Sequence, residues 1–254
     1  MKAPVTDAST PLPIVLVPGL LASARLYAPQ LPELWRRGQV TIADHTRDNE
    51  IAAIARRLLA HAPPRFALVG LSMGGYVCFE VLRQAPERVA QVAVLDTTAR
   101  PDRPEQTARR LEQIELARAG RLDEVADQLL PLFVRSASRS DPELRALVRL
   151  MAAETGVAAF ERQQQAIIGR ADSRPHLGAI SCPTLVLVGD GDELTPPELA
   201  REIADGVPGA QLVVVPESGH LSTLEQPRRV TAALVDWLES RSREAMNASR
   251  ARRG

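Results

Sequence analysis

Three residue types placed after three apolar runs carry the chemistry this sequence can do. Ser72 stands in Gly70-Leu71-Ser72-Met73-Gly74, which has the G-x-S-x-G form of a nucleophile elbow. The run Phe66-Ala67-Leu68-Val69 before it reads as a buried strand. Tyr76-Val77-Cys78-Phe79-Glu80-Val81-Leu82 after it reads as a helix. A serine on such a turn adopts strained backbone angles, and the turn has no room for side chains two residues away on either side. Gly70 and Gly74 meet that demand. By itself, the same stretch is also an ordinary Gly/Ser turn between a strand and a helix.

A serine becomes a nucleophile at neutral pH only beside a base. Of the four histidines, His220 follows the run Leu212 to Val215 and precedes the last helix, which puts it on the same sheet edge as Ser72. His61 and His176 read as surface residues. His45 follows a short strand, where it is a loop residue or lies at the rim of a pocket. The base needs an acid to hold its tautomer. Asp192, in Gly189-Asp190-Gly191-Asp192, is the first choice, with Asp190 and then Asp96 behind it; all three also suit plain turns. Two backbone amides are expected to hold an oxyanion: Met73 N–H at the start of the helix and Leu20 N–H in the loop Val17-Pro18-Gly19-Leu20-Leu21. No metal and no organic cofactor is expected.

The elements that must position these residues alternate. Ile14–Val17, Val40–Ile42, Phe66–Val69, Val92–Leu95, Leu185–Val188 and Leu212–Val215 are continuously apolar, the pattern of parallel strands covered on both faces. Helical spacing lies between them, at 49–61 with Asp48 as the N-cap, at 196–205 behind Pro196-Pro197, and at 227–242. The expected fold is α/β: a doubly wound, mostly parallel sheet of about six strands. From Pro101 to Leu177 no strand-like run occurs. Four helical patterns (Leu111/Ile114/Leu116, Leu122/Val125/Leu129, Leu144/Leu147/Val148/Met151, Phe160/Gln164/Ile167/Ile168) break near Gly120, Pro142 and Gly156. The expected division is a core of residues 1–100 and 178–242, a helical cap insertion of 101–177, and a frayed tail of 243–254.

Composition narrows the partners. Lys+Arg and Asp+Glu are both 31 in 254 residues, so nothing in the charge points to nucleic acid or an anionic membrane. The only lysine is Lys2, which reads as compositional bias. Cys78 and Cys182 read as two buried free thiols. The polar start Met1 to Thr10 has no signal-like apolar stretch, so a cytoplasmic protein is expected. Oligomeric state is not readable from the sequence.

Together these pieces resemble the α/β-hydrolase superfamily, in particular the small bacterial branch of carboxylesterases, enol-lactonases, haloperoxidase-like perhydrolases and pimeloyl-ester esterases. The resemblance rests on Val15-Leu16-Val17-Pro18-Gly19, Gly70 to Gly75, Pro183 to Gly189 with Asp192 and Pro196, and Ser218-Gly219-His220. The order Ser72, Asp192, His220 is that of the family's triad. Two loops depart from its pattern. Pro18-Gly19 stands where His-Gly is usual, so a side chain that often braces the loop is missing. Ala43-Asp44-His45-Thr46-Arg47-Asp48 replaces an Arg-Gly-x-Gly-x-Ser loop.

The resemblance implies a serine esterase or lactonase acting through an acyl-enzyme, with an apolar pocket that includes Leu20, Leu21 and Met73. No arginine cluster is aimed at that pocket, which favours neutral small-molecule esters or lactones. Perhydrolysis, thioester hydrolysis and C–C hydrolysis use the same triad. A non-catalytic ligand-binding protein on this fold is the reading from a different class.

Overall fold

The computed structural model describes residues 11–251, and side chains through residue 240. The polar start Met1 to Thr10 and residues 252–254 lie outside the described residues; of the expected tail, only the backbone to Ala251 is described. Six strands form one all-parallel sheet: β1 (Ile14–Val17), β2 (Val40–Ile42), β3 (Phe66–Leu71), β4 (Val89–Leu95), β5 (Thr184–Gly189) and β6 (Gln211–Val215), in the order β2-β1-β3-β4-β5-β6. The helices are α1 (Leu31–Trp35), α2 (Ile51–His61), α3 (Met73–Gln84), α4 (Pro104–Arg118), α5 (Leu122–Phe133), α6 (Pro142–Ile168), α7 (Pro197–Gly206), α8 (Ser222–Glu225) and α9 (Pro227–Ala251).

Alternate strand residues enter two cores, as the pleat requires. Ile14 and Leu16 of β1 join one, with Val69, Leu95, Leu187 and Trp237. Val15 and Val17 join the other, with Leu68, Val94, Val188 and the apolar faces of α2, α3 and α7. α3 is buried on nearly every side because it runs between the sheet and α2. The two edge strands differ from expectation. β2 is only half-buried and Val214 of β6 is 39% exposed, because each lacks a neighbour on one side.

Residues between β4 and β5 carry α4, α5 and α6. Gly156 adopts φ 74°, a conformation that costs glycine little, and breaks α6 into two segments. The two ends of this insertion meet. Ser173 N–H donates to Ala99 O at 2.8 Å, Arg170 Nε–H donates to Arg100 O at 2.9 Å, and Arg170 pairs with buried Asp102 at 2.6 Å. Further corrections are local. Asp48 does not cap α2, since the N-cap is Glu50; its carboxylate is drawn instead into a bidentate pair with Arg57. Cys78 is buried, but Cys182 is half-buried, because it precedes β5 rather than lying in it. Among the described residues no helix is long and apolar enough to cross a membrane.

Candidate active site

β3 runs straight into α3, and Ser72 takes the turn between them. Its backbone sits at φ 56°, ψ −116°, a strained conformation for a residue with a side chain. Three bonds hold it there: Ser72 N–H donates to Leu95 O at 2.9 Å, Gly75 N–H donates to Ser72 O at 2.9 Å, and Thr97 Oγ1–H donates to Ser72 O at 2.8 Å. A Cβ on Gly74 would fall on the carbonyl oxygen of Val17, and one on Gly70 would fall on that of Gly74. The elbow therefore packs directly against the end of β1.

The loop after β1 lies against the serine. A Cβ on Gly19 would sit 3.2 Å from that of Ser72. Three side chains from distant segments brace this loop. Tyr27 Oη–H donates to Val17 O at 3.0 Å, His45 Nε2–H donates to Gly19 O at 3.0 Å, and Leu21 N–H donates to Gln163 Oε1 at 3.1 Å. Leu21 is 2% exposed and sits at φ 54°. Neither Leu20 N–H nor Met73 N–H has a partner among the described residues, which leaves both amides free to bind an oxygen.

His45 is not at a rim. It is 3% exposed, and burial pushes its pKa below the ordinary histidine value, so the neutral ring donates to Gly19. The polar sequence around it hides this, because Asp44, Thr46 and Arg47 bond one another outside while His45 turns inward. The loop that departs from the family pattern thus supplies the brace that Pro18-Gly19 lacks.

At the far end of the same sheet edge, β6 leads into the loop carrying His220. The ring is 1% exposed and its Nδ1–H donates to Asp192 Oδ2 at 2.8 Å. Asp192 also accepts from Thr195 Oγ1–H at 2.6 Å, and from the amides of Leu194 and Thr195 at 2.9 Å each. This Asx-type turn is written in the sequence as Asp192-x-x-Thr195, a signal the sequence reading passed over. Nδ1–H to the carboxylate leaves Nε2 as the lone-pair nitrogen, and Nε2 is buried with no partner. Burial disfavours charge on His220, but the charge and hydrogen bond of Asp192, with Asp96 and Glu225 nearby, together outweigh it and the pKa is raised. Phe133 of α5 stacks on the ring at 5.9 Å, and Leu221 N–H donates to Phe133 O at 2.8 Å, so the insertion covers the histidine.

Asp96 lies between these two halves. It is fully buried at φ 45°. Gly189 N–H donates to its Oδ1 at 2.9 Å, and Ser222 Oγ–H donates to its Oδ2. It makes no hydrogen bond to a histidine; its bonds tie β4 to β5 and to Ser222, behind His220. Burial first, and then the nearby Asp192 charge, push its pKa well above the carboxylate range. Asp190 is exposed and accepts only from Ser218 N–H at 3.2 Å. His61 and His176 are exposed, away from this edge. No group of three or more His, Cys, Asp or Glu among the described residues could hold a metal ion.

The chain that carries this strained serine and carboxylate-held imidazole has relatives among known proteins. The model of the Alpha/beta hydrolase family matches residues 10–234. The chain belongs to this family. It is similar to a thermophilic esterase from Thermogutta terrifontis, with 32% identity, coverage of 91% of this chain and 90% of that one, and a TM-score of 0.83. It is also similar to the enol-lactonase from Burkholderia xenovorans LB400, with 26% identity, 91% and 92% coverage and a TM-score of 0.82. A pimeloyl-[acyl-carrier protein] methyl ester esterase from Chromobacterium violaceum is 27% identical over 195 residues, 75% of this chain and 76% of that protein. These relatives place the chain in the small bacterial branch of the hydrolase family.

Proposed function

We propose that this member of the family is a serine hydrolase of carboxylic esters or lactones, with Ser72, His220 and Asp192 as its triad. The observation that carries the reading is the buried His220–Asp192 pair, its Nε2 unpaired, on the sheet edge where Ser72 is held in the strained elbow. Ser72 Oγ attacks the substrate carbonyl as His220 Nε2 takes its proton. The oxyanion settles between the Leu20 and Met73 amides. His220 then protonates the leaving alcohol, and the acyl-enzyme forms. Water, deprotonated by the same Nε2, releases the acid and restores Ser72.

The likeness to the Thermogutta esterase and the Burkholderia enol-lactonase supports ester or lactone substrates. The insertion acts as the cap, closing over His220 through Phe133 and over the oxyanion loop through Gln163. Purified protein is expected to hydrolyse short p-nitrophenyl esters and to be labelled at Ser72 by a fluorophosphonate. Ser72→Ala abolishes the label and lowers kcat at least about a thousandfold. Folded wild-type protein that neither turns over the esters nor takes the label would refute the reading.

A further inference from the structure

Gln163 of α6 is fully buried, and its amide is only half used. Oε1 accepts from Leu21 N–H at 3.1 Å, which fixes the orientation of the group, since only the oxygen can accept. Nε2, with two N–H bonds, has no partner. An unpaired buried donor costs about 1–3 kcal/mol, so one that persists calls for a reason. Its neighbour shows that the segment can satisfy an amide: Gln164 donates to Gln113 Oε1 at 2.8 Å and accepts from Arg110 at 2.8 Å. Only four buried side-chain atoms among the described residues lack partners. Two belong to Gln30 and Thr223, which sit together, Gln30 Nε2–H donating to Thr223 O at 2.9 Å. The other two are Gln163 Nε2 and His220 Nε2, the atom assigned to proton transfer above.

The placement of Gln163 separates it from the oxyanion donors. Nε2 shares its carbon with Oε1, so it lies beside the Leu20–Leu21 loop, but it arrives from the insertion rather than from the sheet edge. Leu21 follows Leu20, whose amide is one of the two unpaired donors beside Ser72, so the free Nε2–H bonds lie next to the loop that would hold the substrate carbonyl. The donor is fully buried with no cation bonded to it among the described residues, so an uncharged acceptor suits it better than a carboxylate that would have to give up its water. The geometry points to Gln163 as a specificity-determining residue that donates Nε2–H to a neutral oxygen (ether, hydroxyl or second carbonyl) one or two atoms from the scissile carbonyl of the substrate. This rests on the serine-hydrolase reading.

The test uses two isosteric pairs: p-nitrophenyl methoxyacetate against butyrate, and 3-methoxypropanoate against pentanoate. In wild type, the kcat/KM ratio in one of the pairs exceeds the ratio of the two esters' alkaline hydrolysis rates by about tenfold, the size of one buried hydrogen bond. Gln163→Met removes both of its bonds, while Gln163→Glu, followed from about pH 6 to about pH 9.5, keeps an acceptor for Leu21 N–H and loses the donor once its carboxyl ionises, burial raising the pH at which it does so. Both variants bring the ratio down to the chemical one. If Gln163→Met does not fold, Gln163→Glu and the wild-type ratio decide. A wild-type ratio equal to the chemical one in both pairs, or a ratio unmoved in the variants, overturns the role of Gln163 alone. A wild type that hydrolyses none of the four esters and takes no fluorophosphonate overturns the serine reading and this one with it.

Discussion

Asp192→Asn isolates the least visible part of the site. The carboxylate accepts four hydrogen bonds: Leu194 and Thr195 amides on Oδ1, Thr195 Oγ1–H and His220 Nδ1–H on Oδ2. An asparagine must present its NH2 to one of these sides. Facing the two amides, it would set donors against donors and leave buried groups unpaired, at about 1–3 kcal/mol each. It therefore turns its NH2 toward His220, and Nδ1 must become the acceptor. The proton moves to Nε2, the atom that takes the Ser72 proton in the proposed reaction. The geometry is unchanged and the tautomer is wrong. In serine proteases that error costs about 10⁴ in kcat, or about 5 kcal/mol in the barrier, and the same loss is expected here with little change in Tm.

Asp96→Asn preserves both bonds, since the amide oxygen accepts from Gly189 N–H and the NH2 donates to Ser222 Oγ, so the loss stays under about tenfold. Asp190→Asn, on an exposed side chain, changes kcat less than about twofold. The assay is kcat/KM for p-nitrophenyl butyrate from pH 5 to 9. Wild-type activity falls with falling pH as Nε2 is protonated, with a midpoint above the ordinary histidine value of about 6.5, because the charge and hydrogen bond of Asp192, with Asp96 and Glu225 nearby, together outweigh burial. An Asp96→Asn or Asp190→Asn loss larger than that of Asp192→Asn would refute the assignment of the acid.

Two more perturbations probe the supports. His45→Ala unties Gly19 O from its brace and is expected to lower kcat about ten- to a hundredfold with KM little changed, because the freed loop misplaces the Leu20 amide; steady-state kinetics with unchanged kcat would show that the loop holds itself. Gly74→Ala drives a Cβ onto the Val17 carbonyl, which cannot yield without breaking the sheet, and is expected to lower stability by about 3 kcal/mol or prevent folding; urea denaturation with an unshifted midpoint would contradict that packing.

Local signals made the elbow, the six strands and the breaks at Gly120, Pro142 and Gly156 legible, because each depends on residues within one turn or strand. What stayed hidden depends on contacts far along the chain. Val213-Val214-Val215 is as apolar as Val186-Leu187-Val188, yet only sheet order makes the first an edge. Asp96 and Asp192 both follow apolar strands. They differ in which one meets His220, and Thr195 holds Asp192 toward it. His45 looks exposed among polar neighbours, and its partner is the carbonyl of Gly19 on another strand's loop. Gln163 stood in a helical pattern with nothing to mark it, since its partner Leu21 is 142 residues away.

The closure between Ala99 and Ser173, sealed by Arg170 on Asp102, has a bearing on how such a protein diversifies. The insertion leaves the sheet and returns to it at a single point, so its length and sequence are decoupled from strand register. Doubling the length of such a loop costs only about 0.6 kcal/mol of closure entropy. The segment is thus an exchangeable cassette on a fixed sheet edge: helices from a relative, spliced between these two residues, would bring new selectivity while the elbow keeps its supports from the sheet, provided they again supply an acceptor for Leu21 N–H and a ring over His220.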